Sequence, residues 1–130
     1  TCGNDMSSRT IEGENPLYLP QAKVYDKSAA LGPALVSKES IGDAQKLAVT
    51  LVIERDGKEA FKGEANTADM KRDCEYLVGW LVRHNSIPDG TSVMTGTGTI
   101  PPPEFTLAAG DVVHITIDKI GTLTNTVVVV

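Results

Sequence analysis

Residues 47–64, LAVTLVIERDGKEAFKGE, decide the fold class. The first eight residues, Leu47 to Glu54, are mostly β-branched or aliphatic, which favours a strand. Asp56-Gly57 then supplies the positive φ that a tight hairpin turn requires. Residues 59–64 are expected to be the return strand. The stretch therefore predicts a β-hairpin.

The segment after this hairpin predicts the one main helix, at about residues 67–84. Asn66 or Thr67 is placed to accept the first free N–H groups, and Asn85 and Pro88 are expected to end the helix. Apolar side chains recur there at spacings of three and four and form one stripe: Met70, Cys74, Leu77, Val78 and Leu81.

Further strands are predicted at residues 91–95, 112–118 and 123–130, where apolar and β-branched side chains predominate. The first forty residues contain three X-Pro pairs, which disfavour helix at the preceding residue, so they are expected to be looped or extended. About five strands and one main helix make a mostly β (α+β) chain.

Composition excludes several classes of function. The chain has 130 residues, 41% of them hydrophobic, and a formal net charge of −5, which fits one globular domain over residues 1–130 and argues against binding nucleic acid. No apolar run is long enough to span a membrane, and no signal peptide is visible, so no membrane partner is expected. Two cysteines do not make a disulfide framework, so the expected location is cytoplasmic.

Candidate chemistry lies near the start of the chain. Asp5 and Arg9 are four residues apart, which fits either a plain ion pair or a hard-metal ligand beside an anion clamp. Glu12 is either a solvated acid or part of the same site. Lys23 has apolar or uncharged neighbours, so it is either a surface lysine or one that holds an oxyanion or moves a proton. Thr97 lies in a Thr-Gly-Thr turn that is either a simple bend or a close backbone approach to a ligand.

Several segments together resemble the fumarylacetoacetate hydrolase superfamily. They occur in the family's order, with sensible spacing, over nearly all 130 residues. The segments are Asn4-Asp5-Met6-Ser7-Ser8-Arg9, Lys23, Leu31-Gly32-Pro33, Asn66-Thr67-Ala68-Asp69-Met70, Thr95-Gly96-Thr97, Gly110-Asp111-Val112-Val113 and Gly121-Thr122-Leu123-Thr124-Asn125-Thr126-Val127.

The resemblance implies a mixed β-sandwich roll, a homodimer or a higher homo-oligomer, and one Mg²⁺ (or Mn²⁺ or Ca²⁺ in its place) per site. It implies that Asp5 is a metal ligand. It also implies that Arg9 and Thr97 bind a small 2-oxo acid substrate and that Lys23 and Glu12 are catalytic.

Residues 11–23 are similar to the 2-keto-3-deoxy-D-arabinonate dehydratase branch, which implies Mg²⁺-dependent dehydration of a 2-keto-3-deoxy sugar acid through a metal-stabilised enolate. One alternative is a hydrolase that cleaves a C–C bond in an acylpyruvate or diketo acid. The family's other metal ligands lie in a Glu-x-Glu segment upstream of Asp5, which this sequence does not contain. We therefore expect the C-terminal portion of a larger catalytic domain, inactive alone, and a second alternative is a non-catalytic fragment that keeps only the scaffold and dimer surface.

Overall fold

The computed structural model describes residues 1–130. It is built mainly of strands, as predicted, and none of its helices is long and apolar enough to cross a membrane. In chain order the elements are β1 (Cys2–Asp5), α1 (Arg9–Glu14), β2 (Ala29–Gly32), α2 (Lys38–Ile41), β3 (Ala48–Arg55), β4 (Lys58–Asn66), α3 (Cys74–Leu81), β5 (Val112–Ile117) and β6 (Gly121–Thr126), with 3₁₀ turns at Pro16–Tyr18, Gln21–Lys23 and Thr67–Asp69.

The predicted hairpin forms one half of a four-stranded antiparallel sheet in the order β4-β3-β5-β6, with β4 at the edge. Ile53 of β3 lies opposite Val113 of β5, and both side chains are buried. Leu123 of β6 is buried opposite Ile115. Because side chains alternate across a strand, these residues put the core on one face of the sheet.

A second, two-stranded antiparallel ribbon of β1 and β2 packs against β5 and β6. Cys2 and Asn4 are buried, and the Asn4 amide donates a hydrogen bond to Oδ1 of Asn125 at 3.2 Å. Asp5 ends β1 exposed, as the alternation requires. The ribbon thus presents the Asp5 carboxylate on the side away from the core.

The helix predicted over residues 67–84 is wrong in its bounds. Asn66 caps only the 3₁₀ turn Thr67–Asp69, and Met70 then adopts an extended conformation that interrupts the helix. A new helix, α3, begins at Cys74, where Asp73 accepts a hydrogen bond from the Tyr76 N–H. Two competing N-caps within seven residues thus divide the segment, and α3 ends at Leu81 rather than at residue 84.

Two predicted strands also differ. Residues 91–95 are not a strand, because no neighbouring strand pairs with them. The last strand is Gly121–Thr126 rather than 123–130, because its pairing with β5 ends at the Val112–Thr126 pair. In the first forty residues, expected to be looped or extended, helix α1 forms at Arg9–Glu14 and ends just before Asn15-Pro16.

One ion pair, in which Asp111 is buried and Arg55 is partly exposed, holds the segment before β5 against β3. The Asp111 carboxylate, 1% exposed, accepts hydrogen bonds from Arg55 Nε at 2.8 Å and Nη2 at 2.7 Å, and another from the Ala108 N–H at 2.8 Å. The Arg55 guanidinium also donates to the Thr106 carbonyl and lies 5.5 Å from the centre of the Phe105 ring. The hydrogen bonds from Arg55 lower the pKa of Asp111 to about 2.

The chain exposes more surface than its mass predicts. Its accessible area is 9016 Å², and 10 of its 130 residues are buried. A compact monomer of 13.8 kDa exposes about 6,600 Å². The excess, about 2,400 Å², includes large apolar side chains that normally lie in cores or interfaces, among them Leu17, Leu35, Tyr76 and Trp80.

Candidate active site

Asp5 and Lys23, eighteen residues apart in sequence, are in direct contact. Lys23 Nζ donates a hydrogen bond to Oδ2 of Asp5 at 2.7 Å, a length typical of a charge-assisted bond. The two side chains are 37% and 30% exposed, so the pair is accessible at the protein surface. The structure therefore joins two of the residues that the sequence singled out.

Backbone hydrogen bonds hold the two partners in register. The Met6 N–H donates to the Ser28 carbonyl at 2.8 Å, and the Ser8 N–H donates to the Ala22 carbonyl at 2.9 Å. The Ser28 hydroxyl donates to the carbonyl of Lys23 itself at 2.8 Å. Hydrogen bonds on both sides of the Asp5–Lys23 contact thus hold the chain that follows β1 against the segment that carries Lys23.

Asp5 keeps one carboxylate oxygen open to a cation. Its Oδ2 accepts from Lys23, whereas its Oδ1 carries no hydrogen bond. Carboxylate oxygen is the donor that Mg²⁺ prefers, so the chemistry of Asp5 fits the ion. However, no group of three or more His, Cys, Asp or Glu side chains is placed to hold a metal ion. Residues 1–130 therefore fit one ligand of a magnesium site and do not form a whole one.

Arg9 and Glu12 lie on helix α1, which begins four residues after Asp5 and contacts the 3₁₀ turn that carries Lys23. Arg9 Nη1 is 3.6 Å from Oε2 of Glu12, one helical turn away, which is an ion pair without a hydrogen bond. No hydrogen bond or ion pair links these two residues to Asp5 or Lys23. The site thus contains two ion pairs on adjacent segments, Asp5–Lys23 with a hydrogen bond and Arg9–Glu12 without one.

Thr97 is not joined to the other four residues. Its hydroxyl donates to the Thr99 carbonyl at 3.2 Å and accepts from the Thr99 N–H at 3.2 Å, which closes a small local turn. The same segment touches both sheets, since Met94 lies against Gly3 of β1 and Thr99 against Gly63 of β4. Thr97 is therefore carried on a bridge between the sheets, and its role as a substrate ligand stays a prediction.

Sequence reasoning missed Ser7. Its hydroxyl accepts a second hydrogen bond from Lys23 Nζ, also at 2.7 Å. A signal for it was present, because Ser7 follows Asp5 by two residues in extended chain, and residues at that spacing lie on the same side. Asn125, whose partner Asn4 precedes Asp5, had no such local signal.

The fold and this site define a class of protein: a mostly β scaffold with an acid and a lysine in contact at the edge of a small ribbon. The family model for the fumarylacetoacetate (FAA) hydrolase C-terminal region matches residues 1–128. The chain therefore belongs to the fumarylacetoacetate hydrolase family.

Two curated relatives are similar over almost the whole chain. A protein of Haloferax volcanii named probable 2-keto-3-deoxyxylonate dehydratase is 49% identical over 130 residues, which is 100% of this chain and 45% of that protein. The 2-dehydro-3-deoxy-D-arabinonate dehydratase of Saccharolobus solfataricus is 45% identical over 123 residues, 95% of this chain and 41% of that protein. The chain spans less than half the length of either relative.

A solved structure of 2-keto-3-deoxy-D-arabinonate dehydratase complexed with magnesium and 2,5-dioxopentanoate matches the fold closely. The TM-score is 0.92 with 44% sequence identity, and the match covers 95% of this chain and 44% of that one. The resemblance noted in residues 11–23 to this branch of the family is thereby confirmed.

Proposed function

We propose that the protein carrying this chain is a Mg²⁺-dependent dehydratase of a 2-keto-3-deoxy sugar acid. The observation that carries the proposal is the identity of 49% and 45% with two proteins named as dehydratases of such acids. In the reaction a proton leaves C3 and the hydroxyl on C4 leaves as water. In a five-carbon substrate a proton is then lost from C5 and one is gained at C3, and the resulting C4–C5 enol becomes the C5 aldehyde, while the 2-oxo-carboxylate group is retained. The substrate class is thus a small 2-oxo acid.

We assign the site residues by their chemistry. Asp5 supplies one carboxylate ligand to magnesium, through the oxygen that carries no hydrogen bond. Mn²⁺ and Ca²⁺ also prefer such oxygen ligands and could stand in its place. The bound ion would supply a Lewis acid and a template for the oxygens of the 2-oxo acid. Lys23, held against Asp5 at 2.7 Å, donates a hydrogen bond to a substrate oxygen on which negative charge develops.

Arg9, Glu12 and Thr97 complete the assignment. Arg9 presents a guanidinium that can hold a carboxylate by two parallel hydrogen bonds, and its contact with Glu12 is loose enough to exchange. Glu12 moves the proton, as carboxylates at other dehydration and elimination sites can. Thr97 offers a hydroxyl to the substrate carboxylate. Each of these three roles rests on residue chemistry and on the family motif.

The remaining metal ligands would come from outside residues 1–130. We propose that this chain is the C-terminal portion of a larger catalytic domain and that it works as a homodimer or a higher homo-oligomer. Its excess exposed area, about 2,400 Å², is of the size that a large interface buries on one partner. Both cysteines are free thiols, which suits the reducing cytoplasm that we propose as its location.

The test uses the intact purified protein, whose mass is measured first. The protein is incubated with Mg²⁺ and either a panel of 2-keto-3-deoxy sugar acids or a panel of acylpyruvates. Dehydration gives a 2,5-dioxo acid from a five-carbon substrate, detected by its new aldehyde, whereas C–C hydrolysis releases pyruvate. We expect the aldehyde, its loss on adding a chelator, and its absence in Lys23→Met.

Two results would overturn the proposal. Release of pyruvate without an aldehyde would assign the protein to the C–C hydrolases. A protein of intact mass near 13.8 kDa with neither activity and no Mg²⁺ affinity would be a non-catalytic scaffold.

A further inference from the structure

Ser7 stands between the two charged residues of the site and touches both. Its Oγ lies 2.7 Å from Lys23 Nζ and 3.3 Å from the backbone carbonyl oxygen of Asp5. A hydroxyl has one proton and two lone pairs. Since that proton points to the Asp5 carbonyl, the lone pairs of Ser7 are left to accept from the ammonium of Lys23.

We propose that Ser7 is a positioning residue that aims the Lys23 ammonium at the substrate. The inference rests on the proposed function, in which Lys23 donates a hydrogen bond to a substrate oxygen. Ser7 touches neither substrate nor metal in this proposal and acts only through Lys23.

Hydrogen bonds to Asp5 and Ser7 use two of the three donors of the Lys23 ammonium. A lysine ammonium has three N–H groups and no acceptor. One is fixed on Oδ2 of Asp5 and one on Oγ of Ser7, both at 2.7 Å. Two fixed bonds stop rotation about the Cε–Nζ bond, so the third N–H points in one direction. Without Ser7 the ammonium keeps a single anchor and can turn about it.

A donor aimed in advance stabilises charge that develops in the transition state more than it stabilises the bound substrate. Loss of the aim therefore lowers kcat and leaves KM almost unchanged. We expect Ser7→Ala to reduce kcat by about tenfold, with KM within about twofold of the wild-type value. Ser7→Thr keeps the hydroxyl and should restore most of kcat.

The chain offers a matched control in the next residue. Ser8 is half-buried like Ser7, but its hydroxyl makes no hydrogen bond, even as the residue preceding helix α1. Ser8→Ala should therefore keep the wild-type kcat. All variants are compared as the intact protein with Mg²⁺. Their melting temperatures are measured first, so that a lower kcat caused by unfolding is not attributed to a changed orientation of the Lys23 ammonium.

A second measurement does not depend on activity. Crystal structures of the wild type and of Ser8→Ala should show the Lys23 ammonium at one position. The crystal structure of Ser7→Ala should show it displaced or spread over several rotamers. A Ser7→Ala enzyme with more than half the wild-type kcat, or with Lys23 unmoved, would overturn the inference. If the wild type dehydrates no sugar acid, the proposed function fails, and the crystal structures alone decide the role of Ser7.

Discussion

Replacing Asp111 with asparagine should destabilise the fold in a way that depends on pH. The carboxylate accepts two hydrogen bonds from Arg55 and one from the Ala108 N–H, and it is almost wholly buried. An asparagine side chain keeps one acceptor oxygen but turns an NH₂ group toward donors. The variant thus loses the negative charge, and its NH₂ group lies against the N–H donors of Arg55 or Ala108 without an acceptor between them.

The magnitude follows from the ion pair and its pKa. Breaking a buried pair by removing one partner costs about 3–5 kcal/mol, and Arg55 is 41% exposed, so we expect the lower end, about 3 kcal/mol at pH 7. The pKa of Asp111 falls from 3.8 to about 2 on folding. A depressed carboxyl pKa stabilises the fold above the unfolded value, which here is worth about 2 kcal/mol. That contribution is lost as the pH falls from about 4 to 2.

The assay is urea unfolding of the intact wild type and Asp111→Asn at pH 7 and pH 3. The difference in unfolding free energy should be about 3 kcal/mol at pH 7 and smaller by about 1 kcal/mol at pH 3. Asp56→Asn is the control, because the Asp56 side chain is exposed and makes no hydrogen bond, and because the residue has a positive φ that asparagine accepts. A difference below about 0.5 kcal/mol, or one that grows as the pH falls, would refute the reasoning.

Three further predictions concern the site and its support. Asp5→Asn should weaken Mg²⁺ binding about tenfold or more in calorimetry, and equal affinity would exclude Asp5 as a ligand. Glu12→Gln should lower turnover about a hundredfold without changing Mg²⁺ affinity, and unchanged turnover would remove Glu12 from proton transfer. Asn125→Ala leaves Asn4 without its partner and should cost about 1–2 kcal/mol of stability in thermal unfolding, where no shift would mean that water replaces the bond.

Strong local patterns predicted the central sheet. β-Branched residues and an Asp-Gly turn predict the hairpin of β3 and β4. The alternation of Val113, Ile115 and Ile117 with polar residues predicts which face of β5 lies inward. The helix bounds failed because Asn66 and Asp73 are both good caps, and local propensity cannot tell which one begins the longer helix.

The site was only partly visible in the sequence. The sequence singled out Asp5 and Lys23 separately. Their contact depends on hydrogen bonds donated by Met6, Ser8 and Ser28, and no periodic pattern in the sequence predicts these bonds. Ser7 could have been found from its spacing to Asp5 in extended chain. The link from Asn4 to Asn125 could not, because it joins residues 121 positions apart.

Two independent quantities support a site that is completed outside residues 1–130. Mg²⁺ is held by several oxygen ligands, and this chain brings a single open carboxylate oxygen to the lysine. The same chain exposes about 2,400 Å² more than a compact monomer of its mass. If residues outside 1–130 both supply further ligands and cover this surface, as we propose, Mg²⁺ affinity and resistance to unfolding should rise together when those residues are present.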